Sequence, residues 1–391
     1  MVGIGVLLSG LLLAGVEVSP PPDAARSLYA HWPGGPTCDT APFPIGVWLQ
    51  DPRDAKAYKA AGINLYVGLW EGPTLAQLNQ LKLAQMPVIC PQNEMGLKYA
   101  DKSTIAGWLH RDEPDNAQPR PGGLGHGSPI PPEEILREYQ SMKSADPSRP
   151  ILLNLGQGVA WDGWWGRGER SGHPEDYIEY AKGCDIASFD IYPVAHSHPA
   201  VQGKLAYVAR GVKRLREWAG QDRLVWNVIE TTGVKTGNRP TPKQVEAEVW
   251  MSIIHGSSGI IYFVHEWEPK FSSSALLRNS EMLAAVTALN KQIQELAPVL
   301  RSTVPPPTVE VRSNPAGAEV SRLVNVHQES VYVFAVEMNG ERAEASFTLE
   351  GVPEGSAVEI LGEGKSLEVA GQSWKDAFEP YAVHRYRIRR N

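Results

Sequence analysis

Eight short apolar runs, separated by segments with helical periodicity, constrain the fold of this chain more than any other feature. They lie between Pro44 and about Arg301. Strands that alternate with helices are typical of βα units and a parallel sheet, and eight such strands close into a barrel. The predicted strands begin at Ile45, Ile63, Met86, Ile105, Ile151, Asp185, Leu224 and Gly259. The pattern therefore predicts an α/β fold, a (β/α)8 TIM barrel.

The pattern changes at the proline-rich segment Val304 to Pro307. Beyond it, runs such as TVEVRS and SVYVFAVEM alternate apolar and polar residues, with a turn signal at Asn339-Gly340. This alternation predicts a small C-terminal antiparallel β-sandwich. The predicted domains are an N-terminal apolar segment at 1–24, a catalytic barrel at 40–303 and the sandwich at 304–391.

The first residues, MVGIGVLLSGLLLAG, form an apolar run. It is short for a membrane span, which needs about 20 residues, so no stable span is expected. The run resembles the apolar region of a secretory signal peptide, although basic residues do not precede it. It indicates a secreted or periplasmic protein, with a short N-terminal anchor as the alternative.

Charge and cysteine content narrow the class of function. The net charge is -7, without a Lys/Arg block, which argues against a nucleic-acid partner. The three cysteines match no zinc spacing. Either Cys38 and Cys90 form a disulfide, or Cys38, Cys90 and Cys184 are all unpaired thiols. The sequence leaves the oligomeric state open.

Carboxylates end two of the predicted strands. The fourth strand ends on Asp112 and Glu113, and the seventh ends on Glu230. In a parallel barrel, side chains at strand ends face a shared crater. Hydrolysis of a glycosidic bond needs one protonated carboxyl and one ionised carboxylate on either side of the bond. The pair therefore indicates a carbohydrate substrate.

These residues, with the run DIASFDIYP at the sixth strand and the aromatic end of the eighth, resemble the clan A glycoside hydrolases. The resemblance covers Phe43 to Arg301 and does not select a numbered family. It implies a retaining β-glycoside hydrolase that cleaves β-linked oligo- or polysaccharides and uses no metal or organic cofactor. Glu113 would be the acid/base, Glu230 the nucleophile that forms a covalent glycosyl-enzyme, and Tyr192 the hydrogen-bond partner of that nucleophile.

One residue departs from the clan pattern. Asp112 stands where the clan usually has an asparagine that contacts the sugar. The Asp112-Glu113 pair also resembles hexosaminidases that use the acetamido group of the substrate as the nucleophile, which is an alternative mechanism. A non-catalytic carbohydrate-binding barrel and an exported interaction protein that works through its β-module are further alternatives.

Aromatic residues mark the expected sugar-binding surface. Trp161, Trp164 and Trp165 lie in a glycine-rich loop after the fifth strand, where they form either a sugar-stacking wall or a self-packed loop. Trp267 follows the eighth strand. The other expected substrate-binding residues are Trp48, Trp70, His110, Asp112, Asn154 and Tyr192. The remaining polar strand ends, which bind sugar hydroxyls or bond each other, are Gln50, Glu71, Asp190, His265 and Glu266.

Overall fold

The computed structural model describes residues 32–33, 35, 42–99, 103–123 and 125–390. The predicted fold is confirmed, because eight parallel strands pair in chain order and the eighth pairs with the first. The strands are β1 Ile45–Trp48, β2 Leu65–Val67, β3 Val88–Pro91, β4 Ile105–Asp112, β5 Ile151–Leu155, β6 Ile186–Asp190, β7 Leu224–Glu230 and β8 Ile260–Phe263.

Helices surround the barrel. They are α1 Ala55–Ala60, α2 Leu75–Ala84, α3 Glu94–Lys98, α4 Pro132–Ala145, α5 Asp176–Tyr180, α6 Ala206–Ala219, α7 Pro242–Ile254, α8 Ala275–Arg278 and α9 Ser280–Leu300. Short 3₁₀ turns occupy Pro52–Asp54, Pro121–Gly123, Gln157–Val159, Trp165–Arg170 and Ala181–Gly183. In the described ranges, none of the helices combines the length and apolar character that a membrane crossing requires.

Alternation along the strands divides their side chains between the barrel interior and the helices. In β7, Trp226 and Val228 pack inside with Leu65 of β2, whereas Val225 and Ile229 pack against the surrounding helices. Burial of each such side chain stabilises the fold by about 1.5 to 3 kcal/mol. The crater at the carboxyl ends of the strands therefore stands on a filled core.

The helix after β7 has a well-defined start. Thr241 caps α7 by accepting a hydrogen bond from the Gln244 amide, and the Gln244 side chain accepts one from the Thr241 amide in return. Pro242 occupies the first turn, where its missing N–H costs no helical bond. These signals fix where α7 begins and thus which of its residues face β7.

The C-terminal strands form two antiparallel sheets. The sheet order is β10-β11-β16-β13-β14 in one and β15-β12-β9 in the other. The strands are β9 Val309–Asn314, β10 Val320–His327, β11 Ser330–Glu337, β12 Ala343–Leu349, β13 Ala357–Ile360, β14 Lys365–Glu368, β15 Ser373–Phe378 and β16 Val383–Arg389. A core that includes Phe347, Trp374 and Tyr386 fills the space between them, giving the predicted sandwich.

The sandwich packs against the barrel through α7. Trp250 is fully buried and stacks on Phe334 of β11, with ring centroids 5.0 Å apart. Arg385 of β16 donates to Glu246 of the same helix at 2.7 Å. One helix thus supports both the barrel and the C-terminal domain.

Two cysteines lie in the described part of the chain. Cys90 in β3 and Cys184 before β6 are both buried. Cys38, the proposed disulfide partner of Cys90, lies outside the described residues, as does the N-terminal segment 1–24. The disulfide and the signal segment remain predictions.

Candidate active site

The end of β4 and the residue after it turn two carboxyl groups, those of Asp112 and Glu113, toward the crater. The pairing of β4 with β5 shifts register between Leu109 and Asp112, so that Asp112 lies opposite Asn154. Glu113 follows with φ at +44° and donates its amide to the Asn154 carbonyl at 2.9 Å. A positive φ is uncommon for residues other than glycine and is often found at functional sites. The bulge and this turn place both carboxyl groups at the crater floor.

A chain of polar side chains fixes Asp112. The Asn154 amide donates to Asp112 at 2.9 Å, and the Ser188 hydroxyl donates to the Asn154 oxygen at 2.9 Å. Asp112 is reached by solvent, yet the protein surrounds it closely enough for burial to raise its pKa, which the Asn154 hydrogen bond partly offsets. Asn154 therefore holds the Asp112 carboxylate, a hydrogen-bond acceptor, at the crater floor. Asn154 itself does not face solvent.

Glu113 interacts with Asp190, the last residue of β6. Burial raises the pKa of Glu113 well above its usual value, and the negative charge of Asp190 raises it further. Burial also raises the pKa of Asp190, to about 7, although hydrogen bonds with Glu113 and Tyr192 act in the opposite direction. Two carboxyls in contact cannot both ionise easily. The pair is thus set up to hold a proton at neutral pH, with Glu113 as its carrier.

Tyr192 lies beside this acid pair. Its side chain interacts with Asp190, whereas the clan resemblance implied a hydrogen bond to Glu230. The Tyr192 ring also packs on Phe263 at 4.9 Å. Tyr192 is therefore part of the crater, with Asp190 as its partner.

Glu230 occupies a different environment. Its side chain is 0% exposed, and its two oxygens accept the backbone N–H groups of Val194 at 2.6 Å and Ala195 at 2.8 Å. Its carboxyl group also lies against that of Glu248 in α7. The structure does not bring the Glu230 carboxylate to the crater surface beside Glu113, because the loop after β6 covers it.

Two other expected substrate-binding residues also lie away from the crater surface. The His110 ring is buried between β4 and α4, where Nε2 donates to the Ile135 carbonyl at 3.2 Å and Nδ1 accepts the Arg111 amide at 2.7 Å. Trp48 is buried among the barrel-interior residues. Both rings therefore contact other residues of the protein and do not face the crater.

The three tryptophans after β5 pack on each other and on two histidines. Trp161 is buried at the centre, 5.4 Å from Trp165 and 4.8 Å from His198 between ring centroids. Trp164 is partly buried and donates its indole N–H to Asn116 at 2.7 Å. Trp165 is 53% exposed. The cluster is thus a self-packed block that offers Trp165 as an exposed aromatic face.

A second group of aromatic rings extends from the end of β8. Trp267 is 36% exposed and stacks on Phe263 at 6.0 Å, with an angle of 13° between the rings. Phe263 in turn contacts Tyr192. This row connects an exposed tryptophan to the acid pair, which suits an apolar sugar face. Trp70, after β2, is 69% exposed.

Sequence reasoning underrated Asp190 and missed Glu248. Asp190 counted only as one of several polar strand ends, although it is the acid that ends the sixth strand. Glu248 lies in the run VEAEVWMSII, and its spacing from Val245 and Ser252 places it on the buried face of α7. An acid on a mostly apolar helix face was the signal that could have identified it.

Comparison with known proteins shows similarity in fold but not in sequence. No family model matches the chain, and no curated protein matches it. A GH42 β-galactosidase from G. stearothermophilus has a TM-score of 0.55 at 10% identity, covering 89% of this chain and 98% of that chain. An α-amylase from Geobacillus thermoleovorans, solved with acarbose, has a TM-score of 0.53 at 12% identity, with the same coverage, 89% and 98%. AmyP, solved with maltotriose, has a TM-score of 0.53 at 10% identity, over 93% and 99%. At these identities the similarity establishes a shared architecture.

Proposed function

We propose that this protein is a glycoside hydrolase in which Glu113 is the general acid and Asp190 is the carboxylate that works with it. The observation that carries the proposal is the interaction between these two carboxyls where β4 and β6 end at the crater. The solved structures of similar fold include a β-galactosidase and an α-amylase, which supports a carbohydrate substrate by analogy.

The chemistry of Glu113 suits proton donation to a leaving oxygen. A general acid must be protonated at the working pH and must reach the substrate. Burial and the neighbouring Asp190 favour the protonated form of Glu113, and its side chain is partly exposed. The exposed faces of Trp267 and Trp165 would hold sugar rings on either side.

The identity of the second carboxylate decides the mechanism. Retaining double displacement of a β-glycoside by Glu230, as the clan resemblance implies, would require the Val194 and Ala195 amides to leave its oxygens. Asp190 is itself buried, at 8% exposure, but it interacts with the partly exposed Glu113 and its Oδ1 has no hydrogen-bond partner among the described residues. A covalent mechanism with Asp190 needs the two carboxyls to separate to about 5 to 5.5 Å as the sugar enters. We therefore favour Asp190 over Glu230.

Substrate-assisted hydrolysis is the second candidate function. It requires an acid beside a carboxylate that orients the acetamido group of the substrate, and it leaves Glu230 without a chemical role. The burial of Glu230 under the loop after β6 agrees with the absence of a chemical role for this residue. Asp112, which is solvent-accessible and held by Asn154, would be the orienting carboxylate.

Activity on a panel of α- and β-glycosides with alkyl and with activated aryl leaving groups, N-acetylated sugars included, tests these proposals. On the alkyl glycosides, whose leaving oxygen needs a proton, Glu113→Gln and Asp190→Asn should each lose about 10² to 10⁴-fold in kcat/KM, whereas Glu133→Gln, on the exposed side of α4, should match wild type. Glu230→Gln should lose only about tenfold, and azide should not rescue Glu230→Ala.

Other outcomes would select among the alternatives. Azide rescue of Glu230→Ala with an inverted product would assign the nucleophile to Glu230 and overturn the role of Asp190. Turnover confined to N-acetylated sugars would support the substrate-assisted mechanism. Tight glycan binding without turnover of any substrate would indicate the non-catalytic barrel.

A further inference from the structure

A second pair of carboxyl groups lies beneath the crater, outside the catalytic pair. Glu230 at the end of β7 and Glu248 in α7 are both 0% exposed, and their carboxyl groups lie against each other. Among the described residues, no hydrogen-bond donor reaches either oxygen of Glu248. A buried charge without compensation is costly, so this arrangement calls for a specific role.

The hydrogen bonds locate the proton of this pair. Glu230 accepts two backbone N–H groups, which favour its ionised form. Glu248 has only the Glu230 carboxyl to bond with, which it can do as a donor when protonated. Burial, and then the negative charge of Glu230, raise the pKa of Glu248 well above its usual value. Glu248 is therefore the neutral donor and Glu230 the carboxylate.

The backbone groups that Glu230 accepts belong to residues 191–200, which we call the strand-6 loop. This loop carries Tyr192, the partner of Asp190, and His198, which packs against Trp161 at 4.8 Å. The Ala195 carbonyl accepts a further hydrogen bond from Thr236 after β7 at 3.0 Å. The hydrogen bonds that hold Val194 and Ala195 therefore also hold Tyr192, which lies beside Asp190. They likewise hold His198, which packs against the tryptophan cluster.

We propose that Glu248 is a positioning residue that orients the Glu230 carboxylate onto the strand-6 loop and so holds Tyr192 against Asp190. The chain of contacts runs from α7 to β7, from β7 to the loop and from the loop to the crater. The consequence for catalysis rests on the proposed glycosidase function, whereas the anchoring of the loop does not.

Hydrogen exchange measured by mass spectrometry on the full-length protein tests the anchoring directly. Glu248→Leu removes the donor at similar volume, and the exchange rate of peptides from the strand-6 loop should rise about tenfold or more while that of β4 peptides stays unchanged. Glu248→Gln keeps an N–H donor for Glu230 and should retain wild-type protection. Unchanged loop protection in Glu248→Leu would overturn the proposal.

Glu230→Gln provides a second route if Glu248→Leu does not fold. It replaces one accepting oxygen with an NH₂ group that faces a backbone N–H, so the same peptides should exchange faster. Unchanged protection in this variant would also overturn the proposal.

Kinetics separate a positioning role from a general structural one. With a substrate from the glycoside panel, Glu248→Leu should lower kcat by about 10 to 100-fold with a smaller change in KM, and Glu248→Gln should restore kcat. Equal loss of kcat in both Glu248 variants would contradict the role of the donor. If no glycoside is turned over, the exchange result still decides whether the pair anchors the loop.

Discussion

Removing the charge of Asp190 should lower the pKa of Glu113. Burial is the largest cause of the raised pKa of Glu113, and the negative charge of Asp190 is the next. Two unit charges about 4 Å apart near a protein surface interact by about 4 kcal/mol, which is an upper limit for the repulsion that the substitution removes. Asp190→Asn should therefore lower the pKa of Glu113 and leave the contribution of burial in place.

Asp112→Asn is the matched control for this prediction. Asp112 also raises the pKa of Glu113, but less than Asp190 does, and its exposure to solvent weakens its charge. Its replacement should move the pKa in the same direction by a smaller amount. Asp190→Asn should therefore lower the pKa of Glu113 more than Asp112→Asn does, because of where the two aspartates lie.

Carbon NMR titration of protein labelled at the glutamate carboxyls measures both shifts without any substrate. The Glu113 signal is identified by its absence in Glu113→Gln. An unchanged or higher pKa of Glu113 in Asp190→Asn would refute the reasoning. In the wild-type enzyme, kcat/KM should fall as the pH rises through the pKa of Glu113, because the acid must be protonated to donate.

The packing and the aromatic surfaces give three further predictions. Trp250→Ala should destabilise the protein by about 3 to 5 kcal/mol, because it empties the stack on Phe334; a loss below about 1 kcal/mol in urea unfolding would contradict that packing. Trp165→Ala should weaken binding of a tightly bound glycan about fivefold with little change in melting temperature, whereas Trp161→Ala should lower the melting temperature. Weaker glycan binding in Trp161→Ala together with a lower melting temperature in Trp165→Ala would contradict the assignment of Trp165 as the exposed binding face. Thr241→Ala should cost about 1 kcal/mol, and equal stability in thermal unfolding would show that the cap of α7 contributes nothing.

The barrel was predictable because every one of its strands carries its own apolar run. The direction of side chains at the strand ends was not predictable in the same way. Simple alternation along β4 from Leu109, which faces inward, would turn Asp112 away from the interior, but the register shift opposite β5 turns it inward. A bulge of this kind depends on the neighbouring strand, which a local pattern does not contain.

Glu230 illustrates the same limit for a loop. Its place at the end of β7 follows from the sequence, and the sequence predicts that its carboxylate faces the crater. The strand-6 loop, which is distant in the chain, covers the carboxylate and supplies two N–H groups to it. The location of Asp190, by contrast, followed from the count of strands, and only its contact with Glu113 required the structure.

Because α7 contacts both the barrel and the sandwich, recombination cannot exchange one domain without affecting the other. The same helix carries Glu248 toward β7 and presents Trp250 and Glu246 to the sandwich. A hybrid that exchanges the C-terminal domain at the Val304 to Pro307 junction would leave a barrel helix whose outer face matches the former partner. Successful domain exchange would therefore have to transfer or redesign α7 together with the sandwich. The barrel and the sandwich should accordingly be inherited together.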